Sequence, residues 1–74
     1  MLSKKEQRDF KRYFEEYKDK FTNDEIVGGY LQGMKPGEGA TAGDMYGEAE
    51  LINDRETMDF IDGLDNLARE LRRA

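Results

Sequence analysis

Apolar residues recur early in the chain at Phe10, Phe14, Tyr17 and Phe21, in steps of four, three and four, with Tyr13 alongside. Residues three and four apart share a face at 3.6 residues per turn, so this is one stripe of an amphipathic helix. The intervening positions are charged: Lys4, Lys5, Arg8, Lys11, Arg12, Glu15, Glu16, Lys18 and Asp19. Ser3 with Glu6 forms a capping box, in which the hydroxyl accepts a backbone N–H and the carboxylate reaches back to the cap. The pattern predicts a helix from about Lys4 to Lys20.

A second start follows at once. Thr22 with Glu25 is another capping box, and Phe21 and Ile26 are spaced for a hydrophobic staple across it. Ile26, Val27, Tyr30, Leu31 and Met34 make a short apolar face. Gly28 and Gly29 sit inside this helix at a cost of roughly 1 kcal/mol each relative to alanine. Either another backbone approaches closely there or the helix is fragile. Gly33 suits the residue just past a helix end, and Pro36 prevents continuation.

Lys35 to Gly47 is glycine-rich, and its first part reads as a mobile surface loop. In Asp44–Asn53 the spacing of Met45, Ala49 and Ile52 favours a short helix, with Asp44 as its cap. Asn53 with Glu56 is a third possible capping box. Phe60, Leu64, Leu67 and Leu71 then repeat in steps of four, three and four, flanked by Met58, Ile61 and Ala68. They predict a helix from about Asp54 to Arg72. Its acids lie early and its arginines late, matching the helix dipole, and Asp65 with Arg69 is an i,i+4 pair.

The expected fold is therefore all-α: a small three- to four-helix domain with a glycine-rich loop between helices two and three. The stripes Phe10/Phe14/Tyr17/Phe21, Ile26/Tyr30/Met34 and Phe60/Leu64/Leu67/Leu71 should meet in one core. Seventy-four residues make a single domain, 1–74, of a size at which one core leaves only a few kcal/mol of net stability. Eight aromatic residues argue for a folded core, while 39% charged residues approach the composition at which disorder competes. Help from a partner or a second copy is expected.

Composition narrows the chemistry. With no cysteine and no histidine, disulfides, thiolate or imidazole zinc sites, a histidine base and a cysteine nucleophile are all excluded. Apolar runs never exceed two residues, so no membrane span is expected. The N-terminal residues lack the apolar region of a signal peptide, which points to a cytoplasmic protein.

The seventeen acidic and twelve basic residues are unevenly placed. Asn23 to Asn66 holds eleven of the acids and two bases, Lys35 and Arg55, an excess of nine negative charges. Five of the acids, Asp54, Glu56, Asp59, Asp62 and Asp65, open the last helix; Asp44, Glu48 and Glu50 precede them. A calcium-binding EF-hand loop fails: reading back from Gly63 or Gly47 puts Met58 or Ala42 at its first position. Asp59, Asp62 and Asp65 advance by threes and drift around the helix, so no metal site is expected. The glycine-rich loop lacks the Gly-Lys pair of a phosphate-binding P-loop. A chain this small has little room for a catalytic pocket between paired carboxylates, and no enzyme activity or cofactor is expected.

What remains is a surface. Carboxylates along a helix face can imitate a phosphate backbone or complement a basic groove on a protein. The expected function is a non-enzymatic protein-binding module, a small acidic inhibitor or adaptor that recognises a protein partner with a basic surface. One concrete form is a phage- or mobile-element-encoded inhibitor of a nucleic-acid-binding host enzyme such as a defence nuclease. Its partner-binding residues would be Asp44, Glu48, Glu50, Asp59, Asp62 and Asp65. One alternative is a self-associating helical module, a homodimer. Another is a nucleic-acid binder using the aromatics and Lys4, Lys5, Arg8, Lys11 and Arg12 of the first helix. That second alternative is disfavoured by the acids among those bases and by the overall charge.

Overall fold

The computed structural model describes residues 2–73 and is all-helical among them. Its elements are α1 (Lys4–Tyr17), α2 (Asn23–Gln32), α3 (Ala42–Leu51) and α4 (Arg55–Arg73). α2 and α4 each pack against every other helix and so form the middle of the bundle.

α1 starts on the predicted box: the Ser3 hydroxyl accepts from the Glu6 N–H at 3.1 Å, and Glu6 accepts from the Ser3 N–H at 2.9 Å. It ends at Tyr17, a turn earlier than its spacing suggests. The chain needs Lys18–Lys20 to turn the corner, with the Lys20 and Phe21 amides both donating to the Tyr17 carbonyl. Arg72, from the last turn of α4, holds that corner. Its guanidinium donates to Asn23 Oδ1 (2.7 Å), the Lys18 carbonyl (3.0 Å) and the Phe21 carbonyl (3.1 Å), and lies 5.2 Å from the centre of the Phe14 ring. Carbonyls left over where a helix ends thus receive a cationic donor.

α2 carries the Thr22–Glu25 box and stops at Gly33, which adopts a left-handed φ of 70°. The glycine pair inside α2 answers to close approach. A side chain on Gly28 would collide with the Ala40 carbonyl oxygen and with Thr41, and one on Gly29 would meet Pro36 at 3.0 Å and the Tyr13 hydroxyl at 2.5 Å. The segment between α2 and α3 lies directly on the glycine face.

The segment expected to be a surface loop is held near both ends by side chains of α1 and α2. Gln32 donates to the carbonyls of Gly28 (2.8 Å) and Ala40 (2.7 Å) and accepts from the Ala40 N–H (3.2 Å). The Tyr13 hydroxyl donates to the Met34 carbonyl at 2.6 Å, and Pro36 is buried. Between them Gly37, Glu38 and Gly39 are exposed.

α3 begins at Ala42, with Thr41 as its cap. Asp44 sits in the first turn instead, its carboxylate accepting from the Thr41 N–H at 3.3 Å in a capping box. Asn53 does not cap α4 either; it takes a left-handed φ of 56° and reverses the chain after α3. The amides of Asn53 and Asp54 return to the carbonyls of Glu50 (3.1 Å) and Ala49 (2.8 Å), the paired bonds of a Schellman ending. Asp54 caps α4, accepting from the Thr57 N–H (3.1 Å) and hydroxyl (2.6 Å).

Phe10, Phe14, Ile26, Val27, Ala42, Ile61, Leu64 and Ala68 form one buried cluster. Tyr17, Phe21, Tyr30, Phe60, Leu67 and Leu71 pack around it, half-buried. Two apolar positions depart from the expected stripes. Met34 is exposed because Gly33 has already ended the helix, and Ile52 is 75% exposed because α3 has finished before it.

Candidate functional site

The six acids proposed for recognition lie on two helices that pack together. Asp44, Glu48 and Glu50 are exposed on α3, and Asp59 and Asp62 are exposed on α4. Asp65 is half-buried and paired with Arg69 at 2.9 Å. Asp44 and Glu48 share a face of α3, whereas Glu50 lies around the cylinder from them. Asp44 and Asp65 have local partners; Glu48, Glu50, Asp59 and Asp62 have no cation of the chain within 4 Å among the described residues. No group of three carboxylates converges to hold a metal ion among those residues.

Two of the six acids, Asp62 and Asp65, border a surface groove of about 780 Å³. Three segments far apart in sequence enclose it: Phe21–Asp24 at the start of α2, Ala42–Tyr46 at the start of α3, and Ile61–Arg72 of α4. Ala42 and Ile61, each 4% exposed, supply its apolar floor; Phe21 and Tyr46 are its aromatic lining. Asp24 Oδ1 accepts from the Gly43 N–H at 3.0 Å, joining the starts of α2 and α3. Sequence reasoning missed this groove because Asp24, Tyr46 and Asp62 share no local pattern. The only local signals were the capping threonines, Thr22 and Thr41, which mark where two helices begin beside each other.

A second cleft, of about 660 Å³, opens between Tyr13, Tyr17, Tyr30 and the segment from Gly33 to Glu38. Ring centres of Tyr13 lie 4.9 Å from Tyr17 and 5.4 Å from Tyr30. Burial pushes the Tyr13 phenol up to about 12, helped by Tyr17, Glu16 and Glu38. Burial and Glu16 also raise the Tyr17 phenol. Lys35 and Glu38 both line this cleft, and the neighbouring Phe10 and Phe14 are wholly buried. Stacking of nucleic-acid bases on α1 therefore finds only part of its aromatic stripe accessible.

The Leu51–Ile52 pair stands apart from both cavities. At the joint between α3 and α4 these side chains are 87% and 75% exposed, with Glu50 beside them in sequence. No helix among the described residues is long and apolar enough to cross a membrane. Comparisons with protein-family models, with curated proteins and with solved structures find no match to this chain.

Proposed function

We propose that this chain is a non-enzymatic protein-binding module, a small acidic inhibitor or adaptor that engages a basic protein surface through α3 and α4. The observation that carries this reading is the set of exposed carboxylates, Glu48, Glu50, Asp59 and Asp62, that have no ion-pair partner among the described residues. Such groups accelerate encounter with a positive surface and reject negative ones. Leu51 and Ile52 add an apolar contact beside them, the combination of anchor and charged rim found at protein interfaces. Carboxylates on two helices can stand in for phosphates, which suits a phage- or mobile-element-encoded inhibitor of a nucleic-acid-binding host enzyme acting in the cytoplasm.

The test is affinity capture from the host's lysate with the wild-type chain and with Glu48→Lys, Glu50→Lys and Asp59→Lys combined, at low and high salt. The expected result is a basic partner retained by the wild type, lost at high salt and lost on charge reversal while the far-UV helical signal is unchanged. Identical capture by both proteins would end the proposal. Self-association draws support from Leu51 and Ile52 alone, whereas a standard interface buries about 800 Å² per partner. Light scattering across a concentration series separates the two: a persistent monomer removes the homodimer.

A further inference from the structure

We propose that the groove at the starts of α2 and α3 seats an arginine side chain of the protein partner, clasped by Asp62 and Asp24 and stacked against Tyr46. This rests on the protein-binding reading and specifies its anchor. The argument is one of unmet charge. Three carboxylates and two arginines border the groove, an excess of one negative charge: Arg72 gives its guanidinium to neutral oxygens of Asn23, Lys18 and Phe21, and Arg69 is paired with Asp65. Asp62 has no ion-pair partner among the described residues, and Asp24 uses one oxygen for the Gly43 N–H. The groove's remaining electrostatic demand is therefore for a cation.

Helix starts by themselves favour an anion, because their amides point outward. Here the chain itself takes three of those amides: Thr22 takes the Glu25 N–H, Thr41 takes the Asp44 N–H and Asp24 takes that of Gly43. Added negative charge would also face Asp24, Asp62 and Asp65 together. Arginine fits better than lysine on shape. Its planar guanidinium can lie against Tyr46 while forking its donors to a carboxylate, and its stem covers the apolar floor of Ala42 and Ile61.

The experiment titrates isotope-labelled protein with a short peptide of alternating arginine and alanine, and with the same peptide carrying uncharged citrulline in place of arginine. Amide shifts should gather at Asp24, Gly43, Tyr46 and Asp62, and the citrulline peptide should fail to produce them. Asp62→Lys should weaken binding by at least about tenfold, as expected when a contact carboxylate becomes a repelling charge. Glu70→Lys makes the same charge change on the same helix, at an exposed residue outside the groove, and should cost less than about threefold, the effect of a rim charge. Asp62→Asn and Tyr46→Ala, checked by far-UV signal and thermal midpoint, provide variants without a reversed charge; each should weaken binding more than Glu70→Lys does. Equal weakening by Glu70→Lys and Asp62→Lys, with shifts spread over Glu48 and Glu50, would overturn the groove and leave the acidic-surface reading standing. Equal binding of the citrulline peptide, or absence of shifts in the groove, would overturn it as well. Identical capture by the wild-type and charge-reversed proteins in the lysate experiment would instead overturn the parent reading.

Discussion

α1 and α4 are long helices placed by one apolar stripe each, whereas α2 and α3 are short and are placed by their ends and backbones as well as by what they bury. The longer pair runs to 14 and 19 residues, and each carries an unbroken apolar stripe. The shorter pair has 10 residues each and two glycines each, too short and too permissive to be stable alone. α2 gains its position from the segment laid against Gly28 and Gly29, and α3 from the Thr41 cap and the bond between Asp24 and Gly43. The lesson is that a helix of low amphipathicity can still be fixed when its ends and its glycine face are all engaged. The groove lies where those engaged ends meet.

The comparison can be broken most severely from the α1 side. Phe14→Ala removes a wholly buried ring and should cost about 3–5 kcal/mol in urea unfolding, comparable to the whole stability expected of so small a domain. Survival of a cooperative transition of normal midpoint would mean that the aromatic stripe is not the main support.

Gly28→Ala tests the shorter pair through its sign. If Gly28 were merely a weak helix residue, alanine would stabilise by about 1 kcal/mol. Because its side chain would strike the backbone of Ala40 and Thr41, the expected outcome is a loss of about 1–3 kcal/mol. Gln32→Ala is next in size, at about 1–2 kcal/mol for the bonds it makes to Gly28 and Ala40. Its signature is local: amide exchange should rise at Ala40 before it rises at Phe14.

The smallest effect is in acid. The Ser3 backbone N–H, then its hydroxyl, hold Glu6 below its ordinary 4.5, and the Thr57 hydroxyl, then its N–H, hold Asp54 below 3.8. The folded state thus binds these protons less readily than the unfolded chain. The contribution of both caps is complete above those ordinary values and fades as pH falls through the depressed ones. Amide signals of Glu6 and Thr57 should move in that window while Ala40, held by the neutral Gln32, stays put. Simultaneous movement of all three would show that acid acts globally instead of at the caps of α1 and α4.

How much was legible in the chain follows from the range of each interaction. The boxes at Ser3–Glu6 and Thr22–Glu25 act over three residues and could be read directly. The box at Thr41–Asp44 hid because its partner is an aspartate, shorter than the usual glutamate, in a glycine-rich setting. At Asn53–Asp54 two residues able to cap stand side by side. The need for a left-handed reversal after α3 assigns asparagine to the turn and aspartate to the cap, and that need is visible only once α3 has been placed. The glycine pair announced a close approach without naming Ala40 and Pro36 as its source. The groove was hidden altogether, since Asp24, Tyr46 and Asp62 belong to three elements.

Arg72 carries a consequence for the order in which the molecule assembles. Its three hydrogen bonds reach across 49, 54 and 51 residues of chain, among the most costly loops to close. Contacts of such span are expected to form after a nucleus of nearer ones, which would seal the corner between α1 and α2 on the native side of the folding barrier. Removing the guanidinium should then leave the rate of folding almost unchanged and quicken unfolding. That outcome would make the last turn of α4 a latch on the lifetime of the folded state more than a guide to reaching it.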